Sequence, residues 1–255
     1  MAVSHKGAIS FGLVHIPVSL YTATQDNDIH FHQLCKEDGS RVKYKKVCSG
    51  CGKEVGPNDI VKGFEYEPDK YVTLTDEDFE KAKTEKDRTI QILHFAELDS
   101  IQPIYFEKTY HAIPEQGGDK AFELLRQAMY TEGKVAIAKT VLGTKQKLLA
   151  LIPTEKGILA ETLFYADEVK EAPKEPAHPE LLEPELQMAK ALSNAMVKPF
   201  EPEQYQDEYR KKLWEIINKK IHGEDIAAPS APPQNNVVNL MEALKQSLQN
   251  AGVAV

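Results

Sequence analysis

The alternation of apolar and polar residues predicts short β-strands over most of the first 165 residues. The clearest runs are residues 8–21, which Gly12 and Pro17 interrupt, and the pair 134–140 and 147–152. A period of two places successive side chains on opposite faces of a strand, so each run presents one apolar face. Shorter or more polar runs also predict strands at residues 41–45, where three cations share one face, and at 71–74, 101–111 and 158–165.

Few helices separate these strands. Thr75 is the predicted N-cap of a helix that starts DEDFEKAK, with Asp78 at the capping-box position. Asp119 is the predicted cap of a second helix, which ends near Tyr130 and has one apolar face. Many short strands with few helices favour an antiparallel barrel or sandwich over a doubly wound sheet. The predicted fold class is therefore α+β, mainly β.

The pattern changes after Tyr165, where prolines and charged residues indicate an extended connection. Two helical patterns follow, separated by the proline-containing break 198–202, and Gly223 ends the second. A second Pro-rich stretch then precedes a short amphipathic helix. The predicted organisation is a β-rich core at 1–165, a connection at 166–184, a helical arm at 185–223, a linker at 224–236 and a C-terminal helix at 237–255.

Charge constrains the partners of this chain more than composition does. Hydrophobic residues make up 42% and charged residues 27%, as in ordinary soluble proteins. No signal peptide or membrane span is expected from the apolar runs, so a cytoplasmic location is expected. The net charge of −8 argues against a protein that coats nucleic acid indiscriminately. However, residues 1–62 carry eight basic against six acidic side chains, and residues 134–164 carry five against two. Because charges act locally, one face of the protein could still be basic.

All three cysteines lie between positions 35 and 51, which does not resemble a disulfide framework. His32, Cys35, Cys48 and Cys51 have the spacing H-x2-C-x12-C-x2-C, and glycine follows the last cysteine. Such a Cys-x2-Cys turn can direct two thiolates at one tetrahedral zinc ion, with His30 as a substitute ligand. The alternative is three reduced thiols without a metal. A structural zinc is thus an open hypothesis, and no other cofactor is expected.

Motifs of common enzymes are missing from the sequence: there is no P-loop, dinucleotide fingerprint, zinc-protease helix or nucleophile elbow. Asp76, Glu77 and Asp78 could serve a metal-dependent nuclease, but their position is typical of a helix N-terminus. We therefore predict no catalytic residues and no enzymatic activity.

Seven segments in the same order resemble the bacterial Ku family of non-homologous end joining. The most specific is KGAISFGLVHIPVSLYTAT, since alternation alone would not predict its Gly and Pro positions. The others are RVKYKKVC, IVKGFEY, YVTLTDEDFE, IQPIYFEKTY, KVAIAK and EPEQYQDEYRKKLWEIINKKIHG. The resemblance implies an antiparallel Ku-type β-barrel core with an extended C-terminal helical arm. It also implies a ring-shaped homodimer that threads double-stranded DNA ends, protects them and associates with the nucleoid.

A protein that accepts any broken end should contact phosphates, which carry no sequence information. The candidate contacts fall in the two basic segments, and a solvated strand face is the alternative for each residue. They are Arg41, Lys43, Lys45 and Lys46 in the first segment, and Lys134, Lys139, Lys145 and Lys147 in the second.

Two apolar helix faces are the candidate protein interfaces. The arm is expected to dimerise, with intramolecular packing on its own barrel as the alternative, through Leu213, Trp214, Ile216, Ile217 and Ile221. The C-terminal helix is too short to be stable alone in water, so it should dock on its own core or on a partner. The resemblance implies that this partner is the ATP-dependent DNA ligase of bacterial end joining, ligase D. The contacts would be Leu240, Met241, Leu244 and Leu248.

Many members of that family also have a lysine-rich tail that binds DNA. This sequence departs from the pattern, since only Lys245 follows Lys220, and we expect no tail-mediated sliding. The alternative to a DNA-end ring is a zinc-knuckle interaction scaffold that does not bind DNA directly.

Overall fold

The computed structural model describes residues 3–82, 89–143, 145–174, 176–224 and 240–250. The chain divides into two units, residues 1–171 and residues 172–255. None of the helices that the structure describes is long and apolar enough to span a membrane.

The first unit contains a closed β-barrel of seven strands among its described residues. Their order around the barrel is β1-β2-β6-β9-β8-β7-β5, and every neighbouring pair is antiparallel except β1 and β5. The prediction of an antiparallel barrel is confirmed, with one parallel seam that closes it. The strands of this unit are β1 (Val3–Phe11), β2 (Val14–Thr22), β3 (Lys62–Glu67), β4 (Lys70–Leu74), β5 (Thr89–Glu97), β6 (Phe106–Pro114), β7 (Lys134–Leu142), β8 (Lys145–Pro153) and β9 (Ile158–Leu163).

The β1–β2 hairpin joins the first two strands of the barrel through a tight turn. Phe11 lies opposite Val14, which leaves a two-residue turn of Gly12 and Leu13. Gly12 has a φ of 59°, a left-handed conformation that favours glycine over any residue with a Cβ. This requirement explains the position of the glycine within ISFGLVHIP.

Helix α2 (Asp119–Thr131) packs its apolar face on the barrel core. Phe122, Leu125 and Met129 are buried there, as their helical spacing predicts, together with side chains of β1, β2 and β7–β9. The predicted cap is wrong by one position, because the helix begins at Asp119 and its N-cap is Gly118. A Cβ on Gly118 would lie only 3.0 Å from the Pro17 carbonyl oxygen, so this close approach to β2 disfavours a larger capping residue.

Between β2 and β5 the chain leaves the barrel in a long excursion, residues 23–82. It contains two small turns, the hairpin β3–β4 and helix α1 (Asp76–Ala82). No residue from 23 to 79 is buried. The predicted strand at 41–45 is wrong, since Arg41 forms only an isolated bridge with Leu34 and no neighbouring strand lies alongside the rest.

The second unit consists of helices. Its members are α3 (Glu183–Ala195), α4 (Glu208–Ile221) and α5 (Leu240–Asn250). The Asp207 carboxylate caps α4 by accepting a hydrogen bond from the Arg210 N–H at 2.8 Å. Helices α3 and α5 lie beside each other within this unit. The predicted C-terminal helix at 237–255 also included residues 237–239 and 251–255, which lie outside the described residues.

Candidate nucleic-acid interface

The first basic segment lies on the exposed excursion. Lys45 is engaged there by Glu54, with 2.7 Å between the ammonium nitrogen and the carboxylate. Arg41, Lys43 and Lys46 are exposed and form no ion pair with any residue that the structure describes. These three cations are therefore the members of the segment that can approach an anion without first breaking a contact.

The second basic segment follows the β7–β8 hairpin, and two of its four lysines are already paired. Lys134 lies opposite Glu97 in the β5–β7 ladder, with 2.9 Å between their charged atoms. Lys147 contacts Glu107 at 2.6 Å, and its side chain is only 17% exposed. Lys139 and Lys145 have no ion pair with another described residue.

Lys145 and Lys147 share one face of β8 at the end of the barrel. Two positions further along the same face, Leu149 enters the core. The hydrogen bond from Lys147 holds the pKa of the Glu107 carboxyl below its usual range. Lys147 thus serves the barrel itself, whereas Lys145 is exposed and free to contact a ligand.

The acids at the start of α1 form a helix cap. The Asp78 carboxylate accepts a hydrogen bond from the Thr75 N–H at 2.9 Å, and the Asp78 N–H donates to the Thr75 hydroxyl at 3.3 Å, so the predicted capping box is confirmed. The hydrogen bond from the Thr75 N–H, and then that from the Thr75 hydroxyl to the same carboxylate at 2.8 Å, lower the pKa of Asp78. Asp76 pairs with Lys62 at 3.1 Å. Two of the three acids therefore already have a structural role.

The cysteine segment forms two tight turns. Hydrogen bonds from the N–H groups of Cys51 and then Gly50 lower the pKa of the Cys48 thiol. In the other turn, the Ser40 N–H and hydroxyl, and then the Cys35 thiol, lower the pKa of Asp38. Across the described parts of the chain, no three His, Cys, Asp or Glu side chains are grouped as a metal site. The structure therefore does not assemble the His32, Cys35, Cys48 and Cys51 set that the spacing indicated.

Sequence reasoning missed an exposed aromatic surface on the β3–β4 hairpin. Phe64 and Val72 lie directly opposite each other in this hairpin, and both are exposed. Tyr66 and Tyr71 are each 58% exposed on the same two strands. The signal was the alternating segment IVKGFEY, whose strand pairs only with β4 in the described structure. Exposed aromatic side chains of this kind are typical of surfaces that contact another molecule.

An apolar groove of about 610 Å³ runs between α2 and the β1–β2 hairpin. Phe11, Val14, Phe95 and Leu124 line it, and all four are exposed. Binding sites for small substrates combine apolar walls with a few converging polar groups. Among the described residues that line the groove, the charged ones are Glu132, which follows α2, and Lys134, at the start of β7.

Comparison with known proteins identifies the barrel. Residues 10–191 match the family model described as the Ku70/Ku80 β-barrel domain. A protein of Lachnoclostridium phytofermentans named "Non-homologous end joining protein Ku" is 55% identical over 98% of this chain and 97% of its own length. Proteins with the same name are 42% identical in Bacillus subtilis, over 95% of this chain and 80% of that protein, and in Archaeoglobus fulgidus, over 98% and 99%.

The matched region begins near the end of β1, within the ISFGLVHIP hairpin, and includes β2 to β9 and α2. It ends within α3, so it also takes in the excursion that carries the first basic segment. The chain therefore belongs to the Ku70/Ku80 β-barrel domain family.

Proposed function

We propose that this protein binds the ends of double-stranded DNA without sequence preference, as a homodimeric ring that acts in non-homologous end joining. The observation that carries the proposal is family membership over nearly the whole chain, with relatives named for that pathway. The protein holds and protects the ends and catalyses no reaction itself.

The excursion of residues 23–82 supports binding to a large ligand. No residue from 23 to 79 is buried, although the segment carries regular turns, a hairpin and a capped helix. Ordering a segment costs about 1–2 kcal/mol per residue in backbone entropy, which apolar burial normally offsets. A partner that covers this segment, either DNA or a second copy, would supply the missing burial.

Phosphate contact is proposed for the cations of the two basic segments that form no ion pair with another described residue. Arg41, Lys43 and Lys46 on the excursion, and Lys139 and Lys145 on the β7–β8 hairpin, satisfy this condition among the described residues. An unpaired lysine gains more from a phosphate than one that must first leave a carboxylate. Lys45, Lys134 and Lys147 are therefore weaker candidates than the other five.

The dimer interface is proposed on α4. Trp214 is 51% exposed and Ile221 is 70% exposed on this helix, and Leu213 and Ile217 are half-buried. The helix ends with Lys219 and Lys220, whose positive charges interact favourably with the negative end of the helix dipole. A second copy of the chain is the partner that would cover this face in a ring.

Ligase recruitment is proposed for the C-terminal helix α5, with Leu240, Met241, Leu244 and Leu248 as contacts. Leu244 is half-buried, and α5 lies beside α3. Packing against α3 therefore already covers part of the apolar face of α5. Recruitment of ligase D through this helix would use the part that α3 leaves available.

Threading distinguishes a ring from every other duplex-binding protein. We would compare binding to a linear duplex and to a covalently closed minicircle of the same length and sequence. Tight binding to the linear form alone is expected, because a closed ring needs a free end. Equal affinity for the two forms would exclude threading, and consumption of the DNA would indicate a nuclease.

The proposed phosphate contacts can be tested in the same assay. The double variant Lys43→Glu, Lys145→Glu should lose binding to the linear duplex while its thermal unfolding stays unchanged. Lys120→Glu is the matched control, since Lys120 is exposed on α2 outside both basic segments. An equal loss of binding in the control would assign the effect to net charge rather than to these sites.

A further inference from the structure

The exposed excursion holds a cavity of about 480 Å³ that combines aromatic and cationic side chains. Two chain segments line it, residues 31–33 and residues 41–44. Phe31 and Tyr44 supply aromatic rings, and Arg41 and Lys43 supply positive charges. We name this cavity the aromatic pocket. None of its described lining residues is acidic, so its local field favours an anionic ligand.

Two hydrogen bonds hold the segments of the aromatic pocket together. The Val42 N–H donates to the Gln33 carbonyl at 3.0 Å. The Tyr44 hydroxyl donates to the side-chain oxygen of Gln33, which restricts the orientation of the phenol ring. Leu34 and Arg41 form the β-bridge next to these contacts. The rings therefore lie on a framework that is formed without a ligand.

The lining groups of the aromatic pocket are available to a ligand. Tyr44 is 81% exposed and Phe31 is 67% exposed. Neither ring stacks on another aromatic ring or a cation among the described residues. Arg41 and Lys43 form no ion pair with a described residue. An apolar ring in water gains free energy when a flat partner covers it.

A flat aromatic ligand with an attached phosphate fits both kinds of lining group. A nucleotide has this combination, and every base has a π-face that can stack on an aromatic side chain. Within a duplex, neighbouring base pairs cover both faces, so a base must be extruded before a side chain can stack on it. An unpaired base in the single-stranded overhang of a broken end has a face available without that cost.

We propose that the aromatic pocket binds an unpaired nucleotide of a single-stranded overhang, and this inference rests on the proposed binding of DNA ends. The base stacks on Tyr44 or Phe31, and Arg41 and Lys43 contact its phosphates. Stacking does not depend on the hydrogen-bonding edge of the base, so overhangs of any sequence are accepted. Ends with an overhang are thereby held at one more point than blunt ends.

Three linear duplexes of the same duplex length and sequence separate stacking from charge. One is blunt, one carries a short overhang, and one carries the same overhang with abasic sites, which keep the phosphates and remove the bases. The full chain should bind the overhang that has bases more tightly than the abasic overhang. Stacking of one base on an aromatic side chain corresponds to a factor of about 5–150 in affinity.

The blunt duplex distinguishes failure of this inference from failure of the proposed function. Equal affinity for the two overhangs, with the blunt duplex still bound, would overturn the aromatic pocket as a nucleotide site and leave the binding of DNA ends intact. Failure to bind any of the three duplexes would overturn both.

The double variant Phe31→Ala, Tyr44→Ala should lose the preference for bases in the overhang and keep its affinity for the blunt duplex. Both side chains are exposed, so the fold should not depend on them. Tyr44→Phe keeps the ring and should keep most of the preference. Tyr66→Ala is the matched control, because Tyr66 is an exposed aromatic residue of β3 outside the pocket. A control that loses the preference as fully as the double variant would overturn the assignment to this pocket.

Photochemical cross-linking locates the unpaired base directly. Under ultraviolet light, 5-iodouracil in the overhang cross-links to the aromatic side chain on which it is stacked, and peptide mass spectrometry identifies the attached residue. A cross-link to Phe31 or Tyr44 is expected. A cross-link confined to other residues would place the unpaired base elsewhere and overturn the inference.

Discussion

Arg126 connects α2 to the turn between β8 and β9 through a single buried side chain. Its guanidinium donates to both Glu123 carboxylate oxygens, at 2.8 Å and 2.6 Å, and to the Thr154 carbonyl at 2.8 Å. The side chain is 11% exposed. Burial of a charged group at this level requires hydrogen bonds of this kind, so the sequence neighbours Glu123 and Arg126 act as one unit.

Stability in acid should depend on Glu123. The hydrogen bond from Arg126, and then that from Gln127, lower the pKa of Glu123 to about 2. A folded-state pKa below the unfolded value of ~4.3 contributes stability above that pH, and the contribution is lost as the pH falls towards about 2. The free energy of unfolding of the wild type should therefore exceed that of Glu123→Gln at neutral pH, and the difference should shrink below about pH 4.3.

Urea unfolding at several pH values measures this difference. Glu132→Gln is the control, because Glu132 lies at the end of the same helix and has no ion pair with a described residue. A difference that stays constant from neutral pH to pH 2 would show that the ion pair does not cause it.

Lys145 and Lys147 have opposite expected roles although only one residue separates them. Lys145 is exposed, whereas Lys147 is 17% exposed and bound to Glu107. Lys145→Gln should weaken DNA binding and reduce the slope of log K against log salt by about 0.9, with unchanged thermal stability. Lys147→Gln should lower the melting temperature, because it leaves Glu107 without its partner. The reverse pattern in binding and melting experiments would contradict this division.

At the scale of elements, the sequence predicted strands well where one face is buried and poorly elsewhere. The runs that became β1, β2, β7, β8 and β9 all have a regular apolar face towards the core. β5 was missed because a bulge between Ile92 and His94 breaks its alternation, and Leu93 and Phe95 are apolar on the outer side. The strand predicted at 101–111 begins only at Phe106, since short turns occupy residues 98–105.

The candidate site could be predicted less well than the fold. Composition located both basic segments, but it could not show that Glu54, Glu97 and Glu107 neutralise three of their lysines. These contacts join residues 9, 37 and 40 positions apart, and no local pattern encodes them.

Helix α4 carries the proposed dimer interface. A Trp214→Ala, Ile217→Ala double variant should shift the protein from dimer towards monomer, because truncating aromatic and aliphatic anchors typically costs about 2 kcal/mol or more at an interface. Light scattering at several protein concentrations measures this shift. Glu215→Ala on the same helix, at an exposed residue, should leave the dimer intact. A double variant with an unchanged mass would place the interface elsewhere.

At the scale of the whole molecule, DNA binding and ligase recruitment should be separable. Deleting residues 229–255 removes α5, which is in the second unit, and leaves both basic segments of the first unit. Binding to a linear duplex should persist, while stimulation of ligase D should be lost. Stimulation that survives the deletion would place the recruiting surface on the barrel or on the other helices.

The parallel seam between β1 and β5 has a consequence for how this protein folds. Ala8 pairs with Thr89 and Val18 pairs with Pro114, so the two edges of the β1–β2 hairpin join residues about 80 and about 95 positions further along, beyond the whole excursion. The hairpins β1–β2 and β7–β8 join residues that are near in sequence and can form within microseconds. Loop-closure entropy must be overcome before the seam is stabilised, so closure should come late and limit the folding rate. During synthesis on the ribosome, the N-terminal hairpin must therefore wait, with both edges unpaired, until β5 and β6 have emerged.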